Sequence, residues 1–191
     1  MKSDLENKIS LQGYKGTLKG PLKPTTVTFL VRNDEVLLGM KMRGLGEGNL
    51  VGIGGKVDAK DRNDVDQVEL DVIKNGAARE VVEEIGVVID PKNLESRGSM
   101  EYYFPHKNGE WDFVSHVFVT DTWEGEPTGV LDSNGVVEIE PIWIKISEIP
   151  FEKMWDDARY WLPQVLAGKS IEGEFLFRED LKVVDYRMQE K

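Results

Sequence analysis

The chain contains no cysteine. Disulfides, thiolate metal sites and a cysteine nucleophile are therefore excluded. It has only two histidines, His106 and His116, and two isolated imidazoles without a third ligand do not make a zinc site. His116 falls in a strand-like alternation, which suits a structural histidine. Long apolar runs are missing as well. No stretch approaches the ~20 apolar residues of a membrane span, and residues 1–24 lack the apolar segment of a signal peptide. Positive charge is scarce, with 24 Lys and Arg against 35 Asp and Glu and a net charge of −11. That balance argues against a partner held by its phosphate backbone. A small phosphorylated ligand stays open, because a bound divalent cation inverts the local electrostatics. The expectation is a cytoplasmic monomer with no nucleic-acid or membrane partner.

What is present, 40% apolar and 31% charged residues over 191 positions, fits one globular domain spanning 1–191. Residues 1–24, polar and rich in Gly, Lys and Pro, read as an extension or an early edge strand. "TTVTFLVR" (25–32) and "EVLLGMKM" (35–42), joined at Asn33-Asp34, predict a hairpin. The stretch 44–57 carries six glycines in fourteen residues, a backbone that must turn sharply or approach something closely. Residues 58–71 are acidic and aperiodic, which reads as an exposed insertion. Deleting 61–70 is then expected to leave fold and activity largely intact, since loop closure costs only ~0.6 kcal/mol per doubling of length. Four later stretches, 99–104, 112–121, 136–146 and 174–186, are strand-like, and 152–168 reads as a second helix.

"GAAREVVEEIG" (76–86) predicts a helix from about 72 to 85 that stops at Gly86. Glu80, Glu83 and Glu84 share one arc, while Ala78, Val81, Val82 and Ile85 occupy the other. Like charges at this spacing cost an isolated helix roughly 0.2–0.5 kcal/mol per pair. A hard cation would offset the cost: Mg²⁺ prefers oxygen ligands, one or two carboxylates plus waters and substrate phosphates. Arg79, four residues before Glu83, is spaced to pair with it. An acidic solvated face is the alternative in so acidic a chain.

The order of these elements adds a resemblance. "GGK" (54–56) followed by "REVVEEIGV" (79–87) resembles the signature of the Nudix hydrolases, whose second half is matched at every fixed position. The first half departs from it. With five residues intervening after Gly55 the expected Glu is Asp61, and with seven intervening before Arg79 it is Asp71, so ten residues are inserted; Glu69 is a third candidate. In this family that Glu is mainly structural, pairing near the Arg. "VLLGMKMRGLGEG", "IPFEKMWDDARYWLP" and "VVDY" extend the resemblance to the MutT-related enzymes that hydrolyse oxidised purine nucleoside triphosphates.

The resemblance implies an α/β/α sandwich with a mixed sheet and a loop–helix–loop signature. It implies Mg²⁺-dependent (or Mn²⁺-dependent) attack of water at phosphorus, releasing nucleoside monophosphate and pyrophosphate. Glu80, Glu83, Glu84 and the carbonyl of Gly55 would hold the metal, with Arg79 beside them. Glu138 falls where relatives carry a further acidic residue, as a ligand or base or simply as an exposed strand residue. Gly54, Gly55, Lys41 and Lys56 would meet the phosphates. Met154 and Trp155 match the base-stacking pair, unless Trp155 is a core aromatic. Of the Asp pair that reads the base, Asp157 matches the first and Ala158 stands at the second, leaving Asp156 as a stand-in. Val51 replaces an Asn and Leu50 a Trp, so weak discrimination between oxidised and normal purines is expected. A non-catalytic nucleotide-binding module, or a hydrolase of nucleotide sugars or dinucleotides, are the competing readings.

Overall fold

The computed structural model describes residues 9–44 and 46–191, so residues 1–8 of the expected extension and Leu45 of the glycine loop lie outside the described residues. The hairpin is present: β1 (Lys23–Arg32) and β2 (Glu35–Lys41) pair antiparallel. Asn33, at φ 52°, takes the left-handed turn conformation that Asn tolerates. β3 (Leu50–Val51) and β6 (Ile139–Lys145) both pair antiparallel with β2. On its other side β1 runs parallel to β5 (Phe113–Thr120). The sheet continues through β4 (Glu95–Tyr103), β7 (Ile171–Phe177) and β8 (Val183–Glu190), giving the order β3-β2-β1-β5-β4-β7-β8 with β6 branching from β2. The β4–β7 pair is parallel, while β4–β5 and β7–β8 are antiparallel.

A helix covers each face of this mixed sheet, as the α/β/α expectation requires. Successive strand residues alternate faces. Leu30, Leu37 and Phe118 pack with Ile73, Ala77, Val81 and Ile85 of α2 (Glu69–Ile85), whereas Phe29, Leu38 and Phe175 pack with Trp161, Leu162 and Val165 of α3 (Ala158–Leu166). Gly86 closes α2 at φ 71°, a left-handed C-cap.

Three sequence expectations need correction. The N-terminal stretch is neither extension nor edge strand over 11–15 but a short helix, α1 (Leu11–Lys15). Ser10 Oγ caps it by accepting from Gly13 N–H, and Leu11 and Tyr14 pack with Tyr103 and Leu176. The second helix is shorter than 152–168. A 3-10 turn (Phe151–Lys153) ends in extended backbone at Met154, and α3 begins only at Ala158. Val82, placed on the apolar arc of α2, is 41% exposed. It sits at the edge of that arc, about 60° beyond Ile85 at ~100° per residue.

Candidate active site

The same helical wheel explains how the three glutamates of α2 divide. The buried arc runs through Ile73, Ala77, Val81 and Ile85. At ~100° per residue Glu84 falls inside it, Glu80 near its edge and Glu83 beyond it. Glu84 is correspondingly turned toward the glycine loop, where Gly54 N–H donates to its Oε2 at 2.9 Å. Burial pushes its carboxyl up to about 8, against the opposing pull of that N–H and of Lys41. Glu80 lies against Gly55: a Cβ there would sit 2.6 Å from Glu80 Oε2, so only glycine lets the carboxylate approach. Burial raises the Glu80 carboxyl as well, although the Arg79 guanidinium opposes it. Glu83 is half exposed and pairs with Arg79 at 2.9 Å and Lys60 at 3.2 Å.

Arg79 ties the signature together. It donates from Nε and NH2 to Asp61 at 2.7 and 3.0 Å, from NH2 to the Lys56 carbonyl at 2.8 Å, and from NH1 to Glu80 at 2.8 Å. Asp61 is therefore the acid that faces Arg79. Asp71 is exposed, and Glu69 lies in the first turn of α2 and pairs with Arg62. Asp61 is only 4% exposed, so the acidic stretch 58–71 is not wholly an exposed insertion. The reason is Gly76, whose absent Cβ would lie 2.8 Å from Asp61 Oδ2. Deleting 61–70 would thus remove a buried ion-pair partner, and the expectation of tolerance is withdrawn.

A cleft of about 600 Å³ opens beside Glu84, Gly54, Gly55 and Lys56. Lys41, Val51, Met154, Trp155, Asp157 and Ala158 line it, so most of the expected substrate residues are brought together. Trp155 both lines the cleft and packs edge-on against Phe104 and Phe177, combining the two roles weighed for it. Leu50 is buried in the core instead. Asp156 does not reach the cleft wall. Its Oδ2 accepts from Val183 N–H and its Oδ1 pairs with Lys182, because it precedes α3 and turns toward β8. Glu138 is held by Lys41 at 2.6 Å and Arg43 at 3.1 Å. These partners, Lys41 foremost, keep its carboxyl below the usual range, which suits an ionised anchor for Lys41 better than a base.

The sequence reading missed Lys23, Phe29, Tyr102, Trp111 and Phe113, which also line the cleft. Only the parallel β1–β5 pairing, Lys23 opposite Phe113, brings the two segments together.

The donor set of Glu80, Glu84 and Gly55 is all oxygen and lies where two carboxyls are raised, both chiefly by burial, Glu80 also by the charge of Glu83 and Glu84 also by that of Glu80. That chemistry fits a hard divalent cation. Among the described residues no three acidic or imidazole side chains converge on one point, since each glutamate is engaged by Arg79, Lys60 or Gly54 N–H. No helix among the described residues is long and apolar enough to cross a membrane.

Asp157 supplies a pH-dependent feature of the wall. Its Oδ2 accepts from Trp161 Nε1 at 2.7 Å and Tyr102 OH at 3.0 Å, while Oδ1 is buried without a partner. Burial pushes the carboxyl up to about 6, despite those two donors. A raised carboxyl binds its proton more tightly when folded, so this contribution is fully present below pH ~4 and is lost as pH rises through about 6. The loss is roughly 2–3 kcal/mol. Asp157→Asn should remove that slope: between pH 4 and 7 the stability difference between wild type and variant, from chemical denaturation, should move in the variant's favour. A pH-independent difference would contradict the raised carboxyl.

The comparisons agree with this geometry. The NUDIX domain model matches residues 22–165. The chain is 34% identical over 169 residues to an "oxidized purine nucleoside triphosphate hydrolase" of Danio rerio, covering 88% of this chain and 95% of that protein. It is 33% identical over 165 residues to the Mus musculus protein of the same name, covering 86% and 93%. Among solved structures, a MutT protein from Bacillus halodurans superposes with TM-score 0.65 at 24% identity over 88% of this chain and 98% of that one. A MutT Nudix hydrolase from Burkholderia pseudomallei gives 0.51 at 22% over 69% and 88%. These two likenesses concern the fold. The signature built on Arg79, Glu80, Glu83 and Glu84, the sandwich that carries it and the match over residues 22–165 make one statement: the chain belongs to the Nudix hydrolase family.

Proposed function

We propose that the protein is a divalent-metal-dependent pyrophosphohydrolase of purine nucleoside triphosphates, oxidised purines included, yielding nucleoside monophosphate and pyrophosphate. The observation that carries this reading is the junction of two regions. The half-buried carboxylates Glu80 and Glu84 lie against Gly55 and Gly54, and the cleft lined by Glu84 and Gly54–Lys56 is also lined by Phe29, Tyr102, Trp111, Phe113, Trp155 and Trp161. Aromatic side chains in a cleft suit a purine, and the glycine loop leaves room for phosphates against the backbone.

In this reading Glu80, Glu83, Glu84 and the Gly55 carbonyl would hold Mg²⁺, with Mn²⁺ as substitute. When bound, the cation would neutralise charge on non-bridging phosphate oxygens and lower the pKa of an attacking water. The chain's own residues do the rest. Lys41, steadied by Glu138, and Lys56 present positive charge to the phosphates. Arg79 orients Glu80 and Glu83 by donating from NH1 to both. Trp155 offers an indole to the base, and Asp157 contributes a carboxylate to the same cleft. The names of the relatives and the aromatic residues of the cleft support a small nucleotide as substrate.

The test is a panel of nucleoside triphosphates, nucleotide sugars and dinucleotides at low concentration, with products identified, with and without a chelator. Monophosphate and pyrophosphate should form from purine triphosphates and stop when the metal is removed. A nucleotide sugar or dinucleotide as the best substrate would reject the reading. Because Val51 has no polar group to offer and Asp156 faces away, kcat/KM for 8-oxo-dGTP over dGTP should stay below ~10³, a ratio within what a few unpaired hydrogen bonds supply.

A further inference from the structure

Trp111 is the cleft residue for which neither the signature nor the relatives supply a role. It lies on the connection between β4 and β5, far in sequence from both the glycine loop and Trp155, yet it lines the same cleft. It is only partly buried, so part of the indole borders the opening. Trp111 and Trp155 each meet the same fully buried ring, Phe104, edge to face. The centroid separations are 5.9 and 6.1 Å, and the interplanar angles 74° and 80°. Both indole planes are therefore steeply inclined to the same ring. Phe104 cannot tilt, because Phe177 and Phe113 stack on it at 5.0 and 6.2 Å.

The connection that carries Trp111 is fixed rather than loose. Asp112, the next residue, is 4% exposed; its Oδ1 accepts from Phe104 N–H at 2.8 Å and its Oδ2 from Tyr14 OH of α1 at 3.0 Å. The Lys107 ammonium lies 4.2 Å from the centre of the Trp111 ring. A cation over an indole is a favourable electrostatic contact, and it holds the ring's orientation from one side. A structural aromatic would be expected to bury both faces in the core. Trp111 instead meets Phe104 and His106 at steep angles and Lys107 over its ring, and it stays partly exposed where it lines the cleft.

We propose that Trp111 is a second base-contacting wall of the nucleotide cleft, opposed to Trp155, and that it favours purines over pyrimidines by stacking area rather than by hydrogen bonding. The inference rests on the purine-nucleotide reading above and adds the residue that sets ring-size preference. It also gives the weak polar readout at Val51 and Asp156 a consequence: selectivity here comes from the two indoles.

The experiment compares wild type with Trp111→Ala, Trp111→Phe and Lys107→Ala, using dGTP and dCTP as substrates and inorganic pyrophosphate as a base-free inhibitor. Loss of one base–aromatic stack should raise KM for dGTP by roughly 5- to 100-fold in Trp111→Ala, with kcat little changed. KM for dCTP should rise less, so the purine preference narrows. Trp111→Phe should restore most of the dGTP affinity, Lys107→Ala should produce a smaller rise of the same kind, and the pyrophosphate inhibition constant should not move. Equal losses for both bases, or weakened pyrophosphate inhibition, would show that Trp111 only supports the loop, and unchanged kinetics would show that the base never reaches it. Absence of any triphosphate hydrolysis by wild type would overturn the proposed function and this inference together.

Discussion

Glu84→Gln should leave the folded protein as stable as wild type, or slightly more so, while kcat falls at least ~10²-fold at saturating Mg²⁺. The two halves of that expectation have one cause. Glu84 lies in the buried arc of α2, where its charge is unfavourable enough that burial pushes its carboxyl up to about 8. Glutamine removes the charge, keeps the shape and keeps a carbonyl oxygen for Gly54 N–H. Stability therefore has nothing to lose, and only a role that needs the anion can account for a large fall in rate. Thermal unfolding and steady-state kinetics on the same preparation measure both. A variant that turned over at the wild-type rate would remove Glu84 from the active site, whereas one that unfolded would make it a structural residue.

How far the sequence discloses this site depends on whether the relevant spacing is local. The hairpin at Asn33-Asp34 and the helix stop at Gly86 are written in adjacent residues, and both are where the local pattern puts them. The unequal burial of Glu80, Glu83 and Glu84 is also contained in the helical wheel once the apolar arc is traced through Ile73 and Ala77. Asp61 was ambiguous because counts from Gly55 and from Arg79 disagree by the length of the insertion. The decisive feature, the notch at Gly76 that admits its carboxylate, is fifteen residues away. Asp156 stood in for the second reader only by its place beside Asp157; the backbone at Met154–Asp157 is still in turns, and the side chain is engaged by Lys182 and Val183 N–H. The cleft walls at Lys23, Trp111 and Phe113 had no local signal at all, since parallel pairing of β1 with β5 assembles them.

The insertion gives the sharpest separation of structural from dispensable residues. Replacing 63–66 by two glycines should shift stability by less than about 1 kcal/mol, because these four residues are exposed and loop entropy changes slowly with length. Asp61→Ala, only two residues earlier, should cost about 3–5 kcal/mol, the usual penalty for stranding one partner of a buried ion pair. It leaves the Arg79 guanidinium without two acceptor oxygens and Asp58 N–H without its bond. For a domain of this length that is roughly a 6–20 °C fall in Tm. The pH dependence provides an internal control. Burial alone would raise the Asp61 carboxyl, but its bond with Arg79, aided by Asp58 N–H, outweighs burial and holds it below the ordinary value. A depressed carboxyl stabilises above its unfolded pKa, and that stability is lost as pH falls through the folded value. The gap between wild type and Asp61→Ala should accordingly be full at pH 7 and shrink below pH ~4. Equal stability of the two proteins at pH 7, or a loss in the 63–66 replacement as large as in Asp61→Ala, would mean that the loop and not the Asp61–Arg79 pair secures the signature.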